Sequence, residues 1–316
     1  MSKLKALLLT QGMHGMISQT EGLAKGLNLN YKHQEIRLKK IWNYIPPKFT
    51  PSTLSVLDNK FIFDSKIVIS CGRKSVIPSL ALKRIHGKRI FTIHIQDPKV
   101  NLSNFDLIIS PEHDNLKGDN VIETTGAIHY LSKNEIENNR KYIEIDKENK
   151  KIVAIILGGP NKYYDYSNEQ VSIMFNQIKT IFTPDKYKLI IIPSYRTPKE
   201  IINKSYDSFG HNHKVFKDVD KKAYLSSMAI SDIIVVTCDS TSMISEASIT
   251  GKPIYVANMT PIRNNYRFQN FFSRFKQLNI IKDLTGKIEL WSYKELNEVK
   301  RISNIINEKI KKYGIN

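Results

Sequence analysis

Residues 233–256 read IIVVTCDSTSMISEASITGKPIYV, and this stretch narrows the fold more than any other. It opens on a short β-branched apolar run of the kind buried on both faces of a parallel sheet. A polar turn, Thr237-Cys238-Asp239-Ser240-Thr241-Ser242, follows, then a helical stretch, then Gly251-Lys252-Pro253 and a second apolar run. Strand, helix and strand in that order make one βαβ unit. Open α/β sheets hold their ligands outside the carboxyl ends of the strands, where free N–H groups and the helix dipole favour an anion such as phosphate. Hydroxyls of Ser240, Thr241 and Ser242 can add donors. Glu246 lies four residues past Ser242 and six past Ser240, so it does not fit the three-residue spacing of a capping box. It is expected instead to accept sugar hydroxyls, as acidic residues do for a ribose; a solvated helix start is the plainer alternative.

The same grammar recurs along the chain. Leu4 to Leu9 is apolar, Thr10-Gln11-Gly12-Met13-His14-Gly15 makes a turn, and Ile17 to Leu27 has helical spacing. Gly12 and Gly15 suggest close backbone approach to a neighbour or ligand, with His14 and Gln19 as candidate site residues beside them. A strand is expected over His33 to Leu38, then a Pro- and aromatic-rich connection, WNYIPPKFTP, suited to a partner or bilayer surface or to packing on its own domain. Lys66 to Ser70 is a buried-type strand ending in Cys71-Gly72-Arg73-Lys74-Ser75, where Arg73 and Lys74 can meet a phosphate or carboxylate, or simply be solvated. Three further strands, 89–95, 105–109 and 121–124, end in Gln96-Asp97-Pro98, Ser110-Pro111-Glu112-His113-Asp114 and Thr125-Gly126. Polar residues closing several strands at one edge read as a cleft wall, and Glu112-His113-Asp114 as a general base or substrate clamp.

Residues 132–151, SKNEIENNRKYIEIDKENKK, are highly charged without a long apolar period and are expected to be a linker. Beyond them Ile152 to Leu157 and Gly158-Gly159-Pro160 begin a second α/β sheet, with a helix over Asn168 to Ile181 and a strand over Leu189 to Ile192. That strand ends in Pro193-Ser194-Tyr195-Arg196-Thr197-Pro198, where Arg196 can fork onto a diphosphate. The phenylalanines of 264–275 are expected in the core. Apolar residues from Leu296 to Ile310 at helical spacing make a closing amphipathic helix. The expected division is therefore 1–135, 150–290 and a helix within 291–316.

A length of 316 residues fits two domains, and 41% apolar residues suffices for two ordinary cores. The net charge of +18 has three readings. It can be compositional drift, since the excess is mostly Lys beside abundant Ile and Asn; an anionic membrane surface fits it; nucleic acid does not, because no binding motif appears. Two cysteines, Cys71 and Cys238, each close an apolar run and are expected reduced. No run reaches the length of a membrane span, and the amino-terminal ALLL is too short for a signal-peptide core, so a cytoplasmic protein, peripheral at most on the membrane face, is expected. His94, His113 and His129 match no metal-ligand spacing, and His94 sits inside an apolar strand as core histidines do.

The runs TQGMHGMISQTEGLAKGL, CGRKS, IQDPK, FDLIISPEHD, NVIETTGAIH, LGGPNK, SYRTP and TCDSTSMISEASITGKP, in this order, resemble the mitochondrial-fission "elongated mitochondria" family of plants and its bacterial relatives, from roughly Leu4 to Leu284. That family looks like the GT-B superfamily of nucleotide-sugar glycosyltransferases and epimerases, two Rossmann-like domains with parallel sheets facing across a cleft. The resemblance implies that the second domain holds a nucleotide diphosphate through Gly158, Gly159, Ser194, Arg196, Thr197, Asp239, Ser240, Ser242 and Met243, with Glu246 on the ribose. It implies an acceptor side in the first domain built from Gly12, His14, Gly15, Arg73, Asp97, Glu112, His113 and Asp114, to which Gln19, Lys74 and Gln96 add by position. Where relatives commonly carry a second arginine this chain has Tyr195. The expected activity is sugar transfer from a nucleotide diphosphate sugar, without a required metal, His113 or Asp97 acting as base with Asp114 beside them. An epimerase or hydrolase on the same scaffold, or a non-catalytic scaffold binding a protein or membrane partner, are the alternatives. Nothing in the residues selects an oligomeric state.

Overall fold

In the computed structural model, which describes residues 3–59, 62–146 and 148–315, the apolar runs pair as two parallel sheets. None of the candidate site residues falls outside those ranges; of the expected linker, Lys147 does. The first sheet is built from β1 (Lys5–Thr10), then α1 (His14–Gly26), β2 (Asn30–Glu35), β3 (Ile67–Cys71), α2 (Val76–His86), β4 (Phe91–Ile95), β5 (Leu107–Pro111) and β6 (Val121–Thr124). Among the described residues its order is β2-β1-β3-β4-β5-β6, all parallel. The winding reverses between β1 and β3, and a doubly wound sheet binds its ligand at that switch point.

The β2 strand lies three residues earlier than the expected 33–38. It is an edge with β1 as its partner, so its NYKHQE side chains stay largely solvated. The apolar Ile36 and Leu38 that suggested a buried strand sit just beyond its end, in a small core with Val56, Leu57 and Val68.

The second sheet follows α3 (Lys133–Asn138) and comprises β7 (Lys151–Leu157), α4 (Asn168–Ile181), β8 (Tyr187–Pro193), α5 (Lys199–Phe209), β9 (Lys214–Val215), α6 (Lys221–Ile230), β10 (Ile233–Thr237), α7 (Thr241–Ala247), β11 (Ile254–Ala257), α8 (Tyr266–Gln277) and β12 (Ile281–Asp283). Its order is β12-β11-β10-β7-β8-β9. Counted from its own first strand this is 6-5-4-1-2-3, the dinucleotide-binding order with its switch point between β7 and β10. Phe268, Phe271 and Phe275 of α8 are buried, as expected of an aromatic helix face.

Two segments depart from the expected division. The charged stretch 132–151 carries α3, whose first turn is capped by Ser132 accepting from the Glu135 N–H, and it buries Ile136 and Ile143. The Ile143 N–H donates to Ser226 Oγ on α6 at 3.0 Å, so this stretch packs on the second sheet's unit despite its charge. The closing helix α9 (Glu298–Lys312) returns to the first unit, burying Ile302, Ile306 and Ile310 in one core with Leu23 and Ala24 of α1 and Leu27 just past its end. Gly26 makes that approach feasible, since a Cβ there would lie 2.3 Å from Val299 Cγ1. The compact units are thus 1–130 with 297–316, and 131–296.

Lys252, in the Gly251-Lys252-Pro253 turn, has a structural task. Its ammonium donates to the carbonyls of Met228, Ala229 and Ser231 at 2.7–2.8 Å, capping the end of α6 where orphan carbonyls and the negative dipole end converge. His94 is a core histidine paired with Ser70 Oγ at 2.8 Å, and burial drives its pKa down to about 3. Among the described residues no helix is long and apolar enough to cross a membrane, and no three metal-ligating side chains gather.

Candidate functional site

The second unit's switch point is assembled by loops that follow β7, β8 and β10. Gly158 donates its N–H to Thr237 Oγ1 at 2.8 Å, and Gly159 donates to Asp239 Oδ2 at 3.2 Å, so the glycine turn is stitched to the β10 turn. Neither glycine tolerates a side chain: a Cβ on Gly158 would sit 2.2 Å from the Asp239 carboxylate, and one on Gly159 would sit 1.9 Å from the Arg196 carbonyl oxygen. Asp239 is buried and accepts from the Gly159 N–H, from Thr237 Oγ1 at 2.6 Å, from the Tyr166 hydroxyl and from the Arg196 guanidinium at 2.5 Å. Arg196 also donates to the Gly159 carbonyl at 2.8 Å. Its charge is therefore matched inside the protein, while its side chain stays 39% exposed toward the sheet edge.

Thr197 and Ser194 organise the β8 turn. The Thr197 hydroxyl donates to the Leu157 and Gly158 carbonyls and accepts the Ser194 N–H at 2.8 Å, holding this turn beside the glycines. Ser240 is the N-cap of α7, accepting from the Met243 N–H at 3.3 Å, which assigns it a local role as well as a place at the edge. Ser242 and Met243 lie in the first turn of that helix. Glu246, in the second turn, is buried and accepts the Tyr224 hydroxyl of α6 on Oε2 at 2.8 Å. Burial pushes its pKa up to about 7, against the opposing pull of that hydrogen bond and of Lys221. Cys238 is buried at the strand end, and its thiol is pushed up to about 12 by burial.

Sequence reasoning missed Tyr166 and Tyr224, whose hydroxyls hold the two carboxylates. Tyr166 has a left-handed backbone, φ +58°, a conformation that for a bulky residue marks a constrained site. In sequence both are ordinary tyrosines far from their partners; the tertiary fold makes the pairs.

The first unit gathers its candidates in the same manner, because in a parallel sheet all carboxyl ends share one edge. Gly12, with φ +81°, and Gly72, with φ +90°, open the turns after β1 and β3, on either side of the switch point. Gln19, buried on α1, takes Cys71 Sγ at 3.7 Å and Gln96 Nε2 at 3.5 Å on its Oε1. Gln96, just past β4, also has a left-handed backbone, φ +83°. His14 begins α1 and meets Tyr130 edge-on at 6.2 Å, while around Gly15 there is open space. Arg73 is exposed and donates to the Tyr44 carbonyl at 3.4 Å; Lys74 is half-buried beside it.

The four acid–base candidates differ in how they are held. Burial acts to raise the Asp97 pKa, but hydrogen bonds from the Lys99 side chain and N–H outweigh it and hold the carboxyl below its usual range. His113 is buried just past β5 with Nε2 3.8 Å from Asp114 Oδ1. Glu112 accepts from Thr125 Oγ1 at 3.3 Å, and the Thr125 N–H donates to buried Glu298 of α9 at 3.0 Å. The edge thus offers a histidine–carboxylate pair flanked by a tied-down glutamate.

Comparison with known proteins agrees with this architecture. The "Mitochondrial fission protein ELM1" of Arabidopsis thaliana is 26% identical over 278 residues, covering 78% of this chain and 64% of that protein, so the match spans less than two thirds of the relative. The UDP-GlcNAc 2-epimerase of Neisseria meningitidis, solved bound to UDP-GlcNAc, superposes with a TM-score of 0.52 at 14% identity over 98% of this chain and all of that one. The spinosyn rhamnosyltransferase does so with a TM-score of 0.51 at 8% identity over 99% and 92% of the two chains. At such identities these likenesses establish the GT-B type of fold. The family model described as "Mitochondrial fission ELM1" matches residues 14–310, and the chain belongs to that family.

Proposed function

We propose that the protein binds a nucleotide diphosphate sugar at the switch point of its second sheet and transfers the sugar to an acceptor hydroxyl. The observation that carries this reading is the joining of Gly158–Gly159, Arg196–Thr197 and Asp239 at the carboxyl ends of β7, β8 and β10, where α7, the helix of Glu246, begins. Glu246 accepts ribose hydroxyls, and the diphosphate faces Arg196 and the opening of α7. Nucleotide sugars as the bound class are supported by the fold neighbour solved with UDP-GlcNAc.

In the transfer, the acceptor oxygen forms a bond to the anomeric carbon as the bond from that carbon to the diphosphate oxygen breaks. The acceptor proton goes to a base, and the negative charge appears on the departing diphosphate, where Arg196 and helix-opening N–H groups stabilise it without a required metal. Of the first unit's acid–base candidates, Asp97 is paired with Lys99, while His113 has Asp114 within ion-pair range, so His113 is the residue whose substitution tests the base.

A second reading is favoured by one observation. Arg196 already carries a carboxylate partner, Asp239, so the edge has less free positive charge than a diphosphate clamp ordinarily offers, as suits a scaffold that keeps the fold and binds a protein or membrane. Calorimetric titration with UDP-, GDP- and ADP-linked sugars separates the two. Binding by one of them that is lost in Glu246→Ala supports the first; a folded protein that binds none removes it. Consumption of the nucleotide sugar with no acceptor present would turn the assignment toward an epimerase or hydrolase.

A further inference from the structure

The segment following β2 has a composition and an exposure that the sugar-transfer reading does not use. Residues 36–57, IRLKKIWNYIPPKFTPSTLSVL, contain Arg37, Lys39, Lys40 and Lys48 and not one Asp or Glu; Arg37 is paired with Glu35 just before the segment, which leaves Lys39, Lys40 and Lys48 as its unmatched charges among the described residues. Residues 65–96, which bring in Arg73 and Lys74, likewise hold seven Lys and Arg and no acidic residue. Within this basic surround Ile41, Tyr44 and Phe49 are 65%, 86% and 67% exposed.

The exposure is not that of a loose loop. Short 3₁₀ turns at Lys40–Asn43, Pro47–Phe49 and Leu54–Val56 shape the segment, and an antiparallel bridge between Leu38 and Leu57 closes its base. Pro47 and Thr50 are buried, the Thr50 hydroxyl donating to the Pro46 carbonyl at 3.1 Å, and Trp42 packs on the Leu38 and Val56 core. Anchored residues thus alternate with outward apolar ones, so the fold holds Ile41, Tyr44 and Phe49 in water. Lys48 lies over the Phe49 ring at 4.6 Å, and Arg73 reaches the Tyr44 backbone, so cations rim the apolar tips. Apolar and aromatic tips ringed by Lys and Arg, with no carboxylate among them, match a bilayer interface: acyl chains for the tips, anionic headgroups for the cations.

We propose that residues 39–50 dock the first unit on an anionic membrane surface, Ile41, Tyr44 and Phe49 entering the headgroup layer while Lys39, Lys40, Lys48 and Arg73 meet lipid phosphates. Because Arg73 and Lys74 also stand at the carboxyl edge of the first sheet, docking brings that edge to headgroup level. A membrane-borne acceptor is the substrate class this serves, a consequence that rests on the sugar-transfer reading; the docking itself does not.

The test is flotation of the full chain with phosphatidylcholine vesicles and with vesicles of equimolar phosphatidylcholine and phosphatidylglycerol. The expected result is partition to the anionic vesicles only, reduced at least about tenfold in the triple variant Ile41→Ser, Tyr44→Ser, Phe49→Ser. The variant's melting temperature should match the wild type, because the three side chains are solvated. In Phe49→Trp the indole emission should shift to the blue on adding anionic vesicles. Failure of the wild type to float, or a folded triple variant that floats equally well, overturns the proposal. So does partition that salt abolishes and the triple variant leaves unchanged, which would mean charge attraction without insertion, and so does capture of an acidic protein by a segment indifferent to lipid. Loss of nucleotide-sugar binding in Glu246→Ala, with flotation intact, keeps the two proposals distinguishable.

Discussion

Arg196 and Asp239 join the turns after β8 and β10 through a 2.5 Å ion pair in which one partner is buried and the other stands at the surface. The asymmetry predicts unequal mutants. Asp239→Ala strips the acceptor from the Gly159 N–H, Thr237 Oγ1 and the Tyr166 hydroxyl as well as from Arg196, and should cost about 3–5 kcal/mol, as for breaking a buried hydrogen-bonded network. Arg196→Ala leaves Asp239 three donors, and the lost cation was screened by solvent, so about 1–2 kcal/mol is expected. Urea denaturation of the two variants measures both; equal losses would contradict the arrangement.

Glu246 supplies a pH test. Its folded pKa, about 7, is raised above the 4.5 of an ordinary glutamate, so between those values the native state binds more protons than the unfolded state. Stability should therefore fall as pH rises from about 4.5 to about 7 and level off above. Binding runs the other way. In the proposed role of Glu246 the ionised carboxylate is the form that accepts ribose hydroxyls, so nucleotide affinity should rise with pH up to about 7, by as much as about tenfold per unit. Calorimetry across that range checks it, and Glu246→Gln should flatten both profiles. A wild-type affinity indifferent to pH would detach Glu246 from the ligand.

Much of the fold was legible because the strands of a parallel sheet are buried on both faces and so announce themselves as unbroken Val/Ile/Leu runs. Ile233–Thr237 and Val121–Thr124 stand where their residues suggest, and the helix Asn168–Ile181 coincides with its expected bounds. The β2 edge was misread because an edge strand with solvated faces has no apolar signal to offer. The α3 segment was read as a linker because its charges conceal two buried isoleucines, Ile136 and Ile143. The amphipathic pattern of α9 was visible, but no periodicity says which sheet a helix will cover after the chain has travelled away and returned. At the candidate site, the places of Gly158, Arg196 and Asp239 in turns after strands, and of Glu246 on the helix that follows, could be read from the order of residues. Their partners could not: Tyr166 with Asp239, Tyr224 with Glu246 and Gln19 with Gln96 are made by topology alone.

His94 predicts an acid-sensitive fold. Burial lowers its pKa from 6.5 to about 3, so the native state keeps the imidazole neutral against Ser70 while the unfolded chain takes up a proton below about pH 6.5. The stability is fully present above that value and lost as pH falls, at up to about 1.4 kcal/mol per unit from this residue. His94→Gln should remove that part of the slope in denaturation curves between about pH 6 and 4. An unchanged slope would show that His94 is not the group responsible.

Three glycines separate close approach from mere turn preference. Gly159→Ala drives a methyl to 1.9 Å from the Arg196 carbonyl oxygen, a backbone atom that cannot swing aside, and Gly158→Ala drives one to 2.2 Å from buried Asp239. Each should destabilise by about 1–3 kcal/mol or more through overpacking, and should loosen the proposed nucleotide site because the β7, β8 and β10 turns must part. Gly15 lies in the first turn of α1 with open space around it and an ordinary helical backbone. Gly15→Ala should therefore stabilise by about 0.5–1 kcal/mol, since alanine loses less conformational freedom on entering a helix. Thermal melts of the three variants read both signs. If Gly159→Ala melted with the wild type, the stitched turns that define the candidate site would have to be abandoned.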